Sequence, residues 1–179
     1  MPRLIKDGAV VDDRWTLLPE AYSLTDVPGE GAVIVPLVLW LAERRELRAR
    51  GDVGVLLAPD EDPSALADDA ATLPLIAVDF PQFTDGRGYS TARLLRERYR
   101  FHGELRAVGD VLRDQLYLLA ECGFDAFAVR EDRDPQAALS GLRDFDGLYA
   151  PTARTPQPWF RRRAAAVAAD GGDNWCPEI

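Results

Sequence analysis

Asp60, Asp79, Asp110 and Arg130 each follow a short apolar run of the chain. If those runs are parallel strands, the four residues stand on one rim, at the carboxyl ends where α/β folds bind their ligands. Asp79, Asp85 and Asp110 are then the candidate catalytic residues. Carboxylates at strand ends can relay protons, and three together suit a hard cation such as Mg²⁺. Helix capping accounts for Asp110 just as economically. The densest segment reads Asp79-Phe80-Pro81-Gln82-Phe83-Thr84-Asp85-Gly86-Arg87-Gly88-Tyr89-Ser90. Its two glycines let the backbone approach a ligand, the helix N-terminus that follows favours an anion, and Arg87 can grip two oxyanion oxygens. Asp85, Gly86, Arg87, Gly88, Tyr89 and Ser90 therefore form a candidate anion- or partner-binding loop, joined by Arg113 and Gln115 from the first turn of the next helix. The plainer reading is a tight turn with an exposed arginine and a serine cap. The loop is neither a Walker loop nor GxGxxG, so it names no nucleotide.

The rarest residues exclude whole chemistries. One histidine (His102) and two cysteines (Cys122 and Cys176) cannot build a four-cysteine iron–sulfur cluster or a Cys/His zinc site from one chain. No metal site and no cofactor is evident from ligand spacing. A Ser-His-Asp triad would need His102, which sits in a turn, a poor place for a buried base. Cys122, just before Gly123, reads as a small buried apolar residue; Cys176, near the terminus, reads as an incidental or a sulfur-carrying thiol. Lys6 stands alone against twenty arginines, leaving no interior lysine for a Schiff base or a P-loop. Arg93, Arg96 and Arg100 share one helix face, either a solvated, salt-bridged stripe or a docking face for an acidic partner.

The elements that must position these residues follow from pattern. Residues 1–18 read as a small β-hairpin turning at Asp7-Gly8, and 19–32, rich in Pro, Gly and Glu, as a loop. A helix opens at Pro36, runs through Leu47 and closes near Gly51. Strands are then expected at 53–58, 75–78, 104–108 and 124–129, with a last short one at 147–149. Between them lie helices opened by Asp62-Pro63 (through Leu73), capped by Ser90 (through Arg100), running from Asp110 to Cys122 with a stop at Gly123, and opened by Asp134-Pro135 to about 144. Repeated βα units with continuous apolar strands predict one α/β domain over 1–150 built on a parallel sheet. The length allows an open flavodoxin-like sheet or a partial TIM-barrel-like one, because a full eight-fold barrel needs about 250 residues. Residues 151–158 read as a linker, 159–169 as one more amphipathic helix and 170–179 as a tail.

The charge balance, 30 acidic against 21 basic residues for a net −9, argues against nucleic acid or anionic membrane surfaces as partners. No apolar run is long enough to span a bilayer, and the first residues lack a signal-peptide core, so the expected compartment is the cytoplasm.

Three stretches carry a resemblance: Phe83-Thr-Asp-Gly-Arg-Gly-Tyr-Ser through Tyr99, Gly103-Glu-Leu-Arg-Ala-Val-Gly-Asp-Val-Leu-Arg-Asp-Gln-Leu, and Cys122-Gly-Phe-Asp-Ala-Phe. With the opening hairpin and the Pro-Leu-Val-Leu-Trp-Leu helix, they resemble a bacterial family of unknown function over roughly residues 3 to 150. Its members are described as probable oxidoreductases involved in sulfite reduction because they are encoded beside assimilatory sulfite reductase. The resemblance implies an accessory protein that partners sulfite reductase, with the Arg87 rim contacting the reductase or holding a small oxyanion. The residues alone also allow a stand-alone small enzyme, Mg²⁺-dependent or not, working through the strand-end aspartates. A flavin-dependent electron carrier ranks third, since Ala58-Pro59-Asp60-Glu61-Asp62 would repel a phosphate.

Overall fold

The computed structural model describes residues 2–145 and 147–163. In chain order the elements are β1 (Arg3–Lys6), β2 (Ala9–Asp12), β3 (Trp15–Leu17), β4 (Ala32–Pro36), α1 (Leu37–Ala42), α2 (Arg44–Arg50), β5 (Val53–Leu57), β6 (Leu75–Phe80), α3 (Arg87–Glu97), β7 (Glu104–Gly109), α4 (Leu116–Cys122), β8 (Ala126–Phe127) and α5 (Pro135–Ala138). All eight strands join one sheet, ordered β2-β1-β8-β7-β6-β5-β4-β3. Neighbours from β3 to β8 run parallel, while β1 is antiparallel to both β8 and β2.

That order decides between the two architectures. A flavodoxin-like sheet reverses its strand order part-way, whereas here β3 through β8 succeed one another in a single direction. Right-handed crossovers then place every connecting helix on the same face, and the sheet curls into a partial barrel. Alternate strand residues show the division. Val33, Val35, Val55, Leu57, Ile76, Val78, Phe80 and Leu105 pack with Trp40, Leu47, Leu95 and Leu119 of the helices. Trp15, Ile34, Leu75, Ala77 and Val108 form a second, smaller cluster on the concave face.

The curl has a covalent cause. β2 and β3 are the outermost strands on opposite edges, yet only Asp13 and Arg14 separate them in the chain. Three Cα steps reach about 11 Å at most. Eight strands laid flat would hold their edges roughly 34 Å apart. Inside the curl, Arg106 of β7, only 3% exposed, donates from Nη1 to Asp13 Oδ2 at 2.8 Å and from Nε to Glu104 Oε1 at 2.8 Å. Lys6 of β1 closes the row on Glu104 Oε2 at 2.7 Å. Two cations and two anions thus tie β1, β7 and the link between the edge strands.

Several expectations change in detail. The Asp7-Gly8 turn is present, both residues taking positive φ (50° and 76°), but the hairpin ends at Asp12. Trp15–Leu17 belongs to the far edge, paired with β4. β4 itself was hidden in front of the helix, and Pro36 ends a strand, with ψ 150°, before α1 begins. That helix breaks at Glu43 into α1 and α2. Asp62 caps as expected, accepting from the Ser64 amide, but only a 3-10 turn at Pro63–Leu66 follows. The expected helix from Asp110 is a 3-10 turn at Arg113–Gln115 leading into α4, which stops at left-handed Gly123. Asp134 caps α5, which continues as a 3-10 turn through Arg143. Residues 147–149 form no strand, and β8 is two residues long. Residues 159–163 are helical; the rest of the expected 159–169 helix, the 170–179 tail and Cys176 lie outside the described residues. Among the described residues no helix is long and apolar enough to cross a membrane.

Arg106→Met leaves Asp13, Glu104 and Lys6 with an uncompensated buried negative charge. It is expected to cost about 3–5 kcal/mol in urea-unfolding free energy. A loss of less than about 1 kcal/mol would mean that the row does not hold the curl.

Candidate functional site

The carboxyl ends of β5, β6, β7 and β8 form the rim on which the candidate residues were expected. Asp79 is the penultimate residue of β6 and is half-buried. Its carboxylate lies over the end of β7, where Gly109 takes φ +93°; a Cβ there would stand 2.8 Å from Asp79 Oδ1 and 2.5 Å from the Phe80 carbonyl oxygen. Only glycine combines that backbone angle with that closeness. Burial pushes the Asp79 carboxyl above the ordinary range, the Asp85 charge adds to the push, and the Phe80 N–H opposes it. Among the described residues no side chain hydrogen-bonds Asp79. Glu61, beyond β5, is likewise raised by burial, although it accepts the Ala58 N–H at 2.7 Å.

Asp110 is a brace and not a helix cap. Its Oδ2 accepts the Phe83 N–H at 2.9 Å and its Oδ1 accepts Arg130 Nη1 at 2.8 Å. Asp132 holds the other edge of Arg130 at 2.6 and 3.0 Å. The end of β7, the chain after β8 and the loop after β6 are thereby fastened together.

In that loop, Arg87 is engaged with its own neighbour. Its Nε and Nη2 donate to the two oxygens of Asp85 at 3.0 and 2.7 Å, and its backbone N–H adds a third bond at 3.1 Å. These hydrogen bonds hold the Asp85 carboxyl below its ordinary range. The Arg87 side chain remains 59% exposed. α3 begins at Arg87 with Gly86 as its cap, so Ser90, expected to cap, lies inside the helix and faces solvent. Gly88 serves packing: a Cβ there would meet Phe80 Cζ at 2.5 Å. Tyr89 stands edge-on to the same Phe80 ring at 5.6 Å, and burial raises its hydroxyl above the ordinary range while Gln115 opposes the rise. Gln115, 6% exposed, also accepts the Leu112 N–H at 2.9 Å and donates to the Phe83 carbonyl at 3.3 Å. Arg113, expected beside it, turns away to Ser140 at 3.1 Å and Asp144 at 2.6 Å.

The arginine stripe of α3 likewise divides. Arg96 is an internal clamp, donating to the carbonyls of Gly123, Phe101 and Gly103 and to Asp125 at 2.6–2.9 Å. Arg93 pairs with Glu97 at 2.8 Å. Cys122 packs against the main core, and burial raises its thiol. Among the described residues no three His, Cys, Asp or Glu side chains group as a metal site. The structure adds one residue that was not singled out. Phe83, 42% exposed, tops the loop, with its N–H held by Asp110 and its carbonyl by Gln115. An apolar ring amid Pro, Gln, Thr and Asp was the available signal.

Two substitutions separate packing from ligand binding at the loop's glycines. Gly88→Ala is expected to cost about 1–3 kcal/mol through overpacking on Phe80. Gly86→Ala, whose Cβ would meet nothing within 4 Å, is expected to stay within about 0.5 kcal/mol. Equal losses in urea unfolding would contradict this assignment. For Asp79 the sign is fixed by its raised carboxyl. The favourable contribution is complete below the ordinary value near 3.8 and is lost as pH rises through the folded value. Asp79→Asn should therefore gain stability over the parent from acid to neutral pH, read as a widening difference in melting temperature; a constant difference would contradict it.

The region holding the rim loop, α3, β7, α4 and β8 also carries the chain's similarity to known proteins. No curated protein matches the chain. Residues 54–160, more than half of its length, match the family described as bacterial protein of unknown function (DUF934). The chain thus belongs to a bacterial protein family of unknown function, and the matched region contains every rim residue from Asp60 to Arg130.

Proposed function

We propose that this protein is an accessory partner of assimilatory sulfite reductase and that it docks through the rim ledge carrying Phe83 and Arg87. One observation supports a docking role for this ledge. The exposed Phe83 ring stands on a loop whose N–H and C=O are both held by side chains from beyond β7. Such a loop loses little conformational freedom on binding. Aromatic and arginine side chains are the commonest energetic anchors of interfaces, and here one of each is exposed on the same fixed loop. The choice of sulfite reductase rests on the resemblance of the Phe83–Ser90 and Gly103–Leu116 stretches. The composition agrees with an accessory role, because one histidine and two cysteines leave the iron–sulfur and haem chemistry to the reductase.

A second reading keeps the rim as a catalytic centre with Asp79 as general acid. It is favoured by the half-buried carboxyl, raised by burial and free of side-chain partners among the described residues.

Size-exclusion chromatography with the cognate sulfite reductase, at low and physiological salt, tests the first reading. Co-elution is expected. Phe83→Ala should weaken the complex by about tenfold or more, Arg87→Ala by less, and neither should shift the melting temperature by more than a degree or two. Separate elution at both salts, or a complex indifferent to Phe83→Ala, would remove this docking mode and turn attention to Asp79.

A further inference from the structure

A cleft of about 1110 Å³ opens at the end of the sheet opposite the rim. The segments that enter β7 and β8 form one wall, the Asp7-Gly8 turn a second, and the chain from α5 to Arg143 a third. Phe101, Phe124 and Phe127 lie at its floor, nearly buried, and Leu139 and Leu142 add apolar wall. The charges around it are unevenly matched. Arg96 and Asp125 neutralise each other at 2.6 Å. Arg143 and Arg154 line the same cleft with no ion-pair partner among the described residues, against the single carboxylate of Asp7. Elsewhere Arg87, Arg106, Arg113 and Arg130 all sit on carboxylates. In a chain of net charge −9, the lining of this cleft carries more arginine than carboxylate among the described residues.

We propose that this cleft binds an organic anion with an apolar body and a phosphate-, sulfonate- or carboxylate-type head, the head held by Arg143 and Arg154. Guanidinium groups are suited to such heads because their planar forks present paired donors to oxyanion oxygens. The apolar lining, Leu139 and Leu142 with what the rings expose, supplies contact for the body, and the volume accommodates a ligand of nucleotide size. Both arginines are exposed, so they are available to a ligand, and removing their charge does not open the core. The site is independent of the rim ledge: it lies at the other end of the strands and shares no residue with it.

Anilinonaphthalene sulfonate, an aromatic sulfonate that fluoresces on apolar contact, is the probe. Saturable binding to the folded protein is expected, with affinity falling about tenfold or more in the Arg143→Gln/Arg154→Gln double variant. The uncharged phenylnaphthylamine should bind far more weakly. Arg45→Gln, which removes an exposed charge on α2, should leave the affinity unchanged. Unaltered binding in the double variant, an equal loss in Arg45→Gln, or equal binding of the uncharged dye would each overturn the proposal. Melting curves with unchanged midpoints establish that the variants are folded.

Discussion

The two-residue link between β2 and β3 is the constraint on which the rest of the structure depends. It joins the two outermost strands of the sheet, so the sheet can form only if it curls until those strands meet. Curling narrows the concave face, and side chains there must fill a space that no helix covers. Trp15, Ile34, Leu75, Ala77 and Val108 fill part of it. The charged row of Lys6, Glu104, Arg106 and Asp13 fills another part. Burying those charges is costly, and a row of this kind adds little net stability over apolar side chains of equal size. Its consequence is specificity of register. A strand slipped by one residue would turn Arg106 to the helix side, where Leu105 and Ala107 pack in the main core, and take it away from Asp13 and Glu104.

The rim inherits its geometry from this curl. Phe80 connects the two: its ring receives Gly88 and Tyr89 from α3, and its carbonyl accepts the Asp110 N–H at 2.7 Å. The seating of α3 and the turn after β7 are therefore coupled through one residue at the end of β6. Asp110 carries that coupling outward, to Phe83 in one direction and to Arg130 in the other. Most polar groups of the rim are spent on one another in this way. Phe83 and one edge of the Arg87 guanidinium are among the groups that the rim presents to solvent, and Asp79 is a carboxylate it leaves half-enclosed.

The parts of this arrangement that were legible in the sequence are those with local causes. Asp7-Gly8 specifies a hairpin turn, Asp62-Pro63 and Asp134-Pro135 specify capped starts, and Gly123 specifies a helix stop, because each acts within a few residues of itself. The apolar runs at 53–58, 75–78 and 104–108 were legible for the same reason, and the strands end within two residues of them. What escaped depended on distant partners. Ala32–Pro36 was obscured because its apolar residues run without a break into those of α1. Trp15–Leu17 follows a hairpin closely enough to look like part of it, and only the long-range pairing with β4 assigns it to the other edge. Arg87 looked free because its partner is a side chain two residues away, and nothing in the spacing distinguishes a carboxylate that grips from one that merely neighbours. Arg106, a lone charge inside an apolar strand, was the one visible sign that the concave face was not wholly apolar.

The two ends of the sheet differ in what their charges are free to do. At the rim, Arg87 and Arg130 are matched by Asp85, Asp110 and Asp132, so an incoming anion would have to displace a carboxylate already in place. That exchange gains little, since one charge-assisted pair replaces another of similar strength. At the opposite end Arg96 is held by Gly123, Phe101, Gly103 and Asp125 and shapes the wall, while among the described residues no carboxylate beyond Asp7 lines the cleft to offset Arg143 and Arg154. An anion arriving there forms new pairs without breaking old ones. The bonding of the arginines, more than their number, therefore distinguishes the two ends, and it is the reason a protein partner is proposed for the rim and a small anion for the cleft.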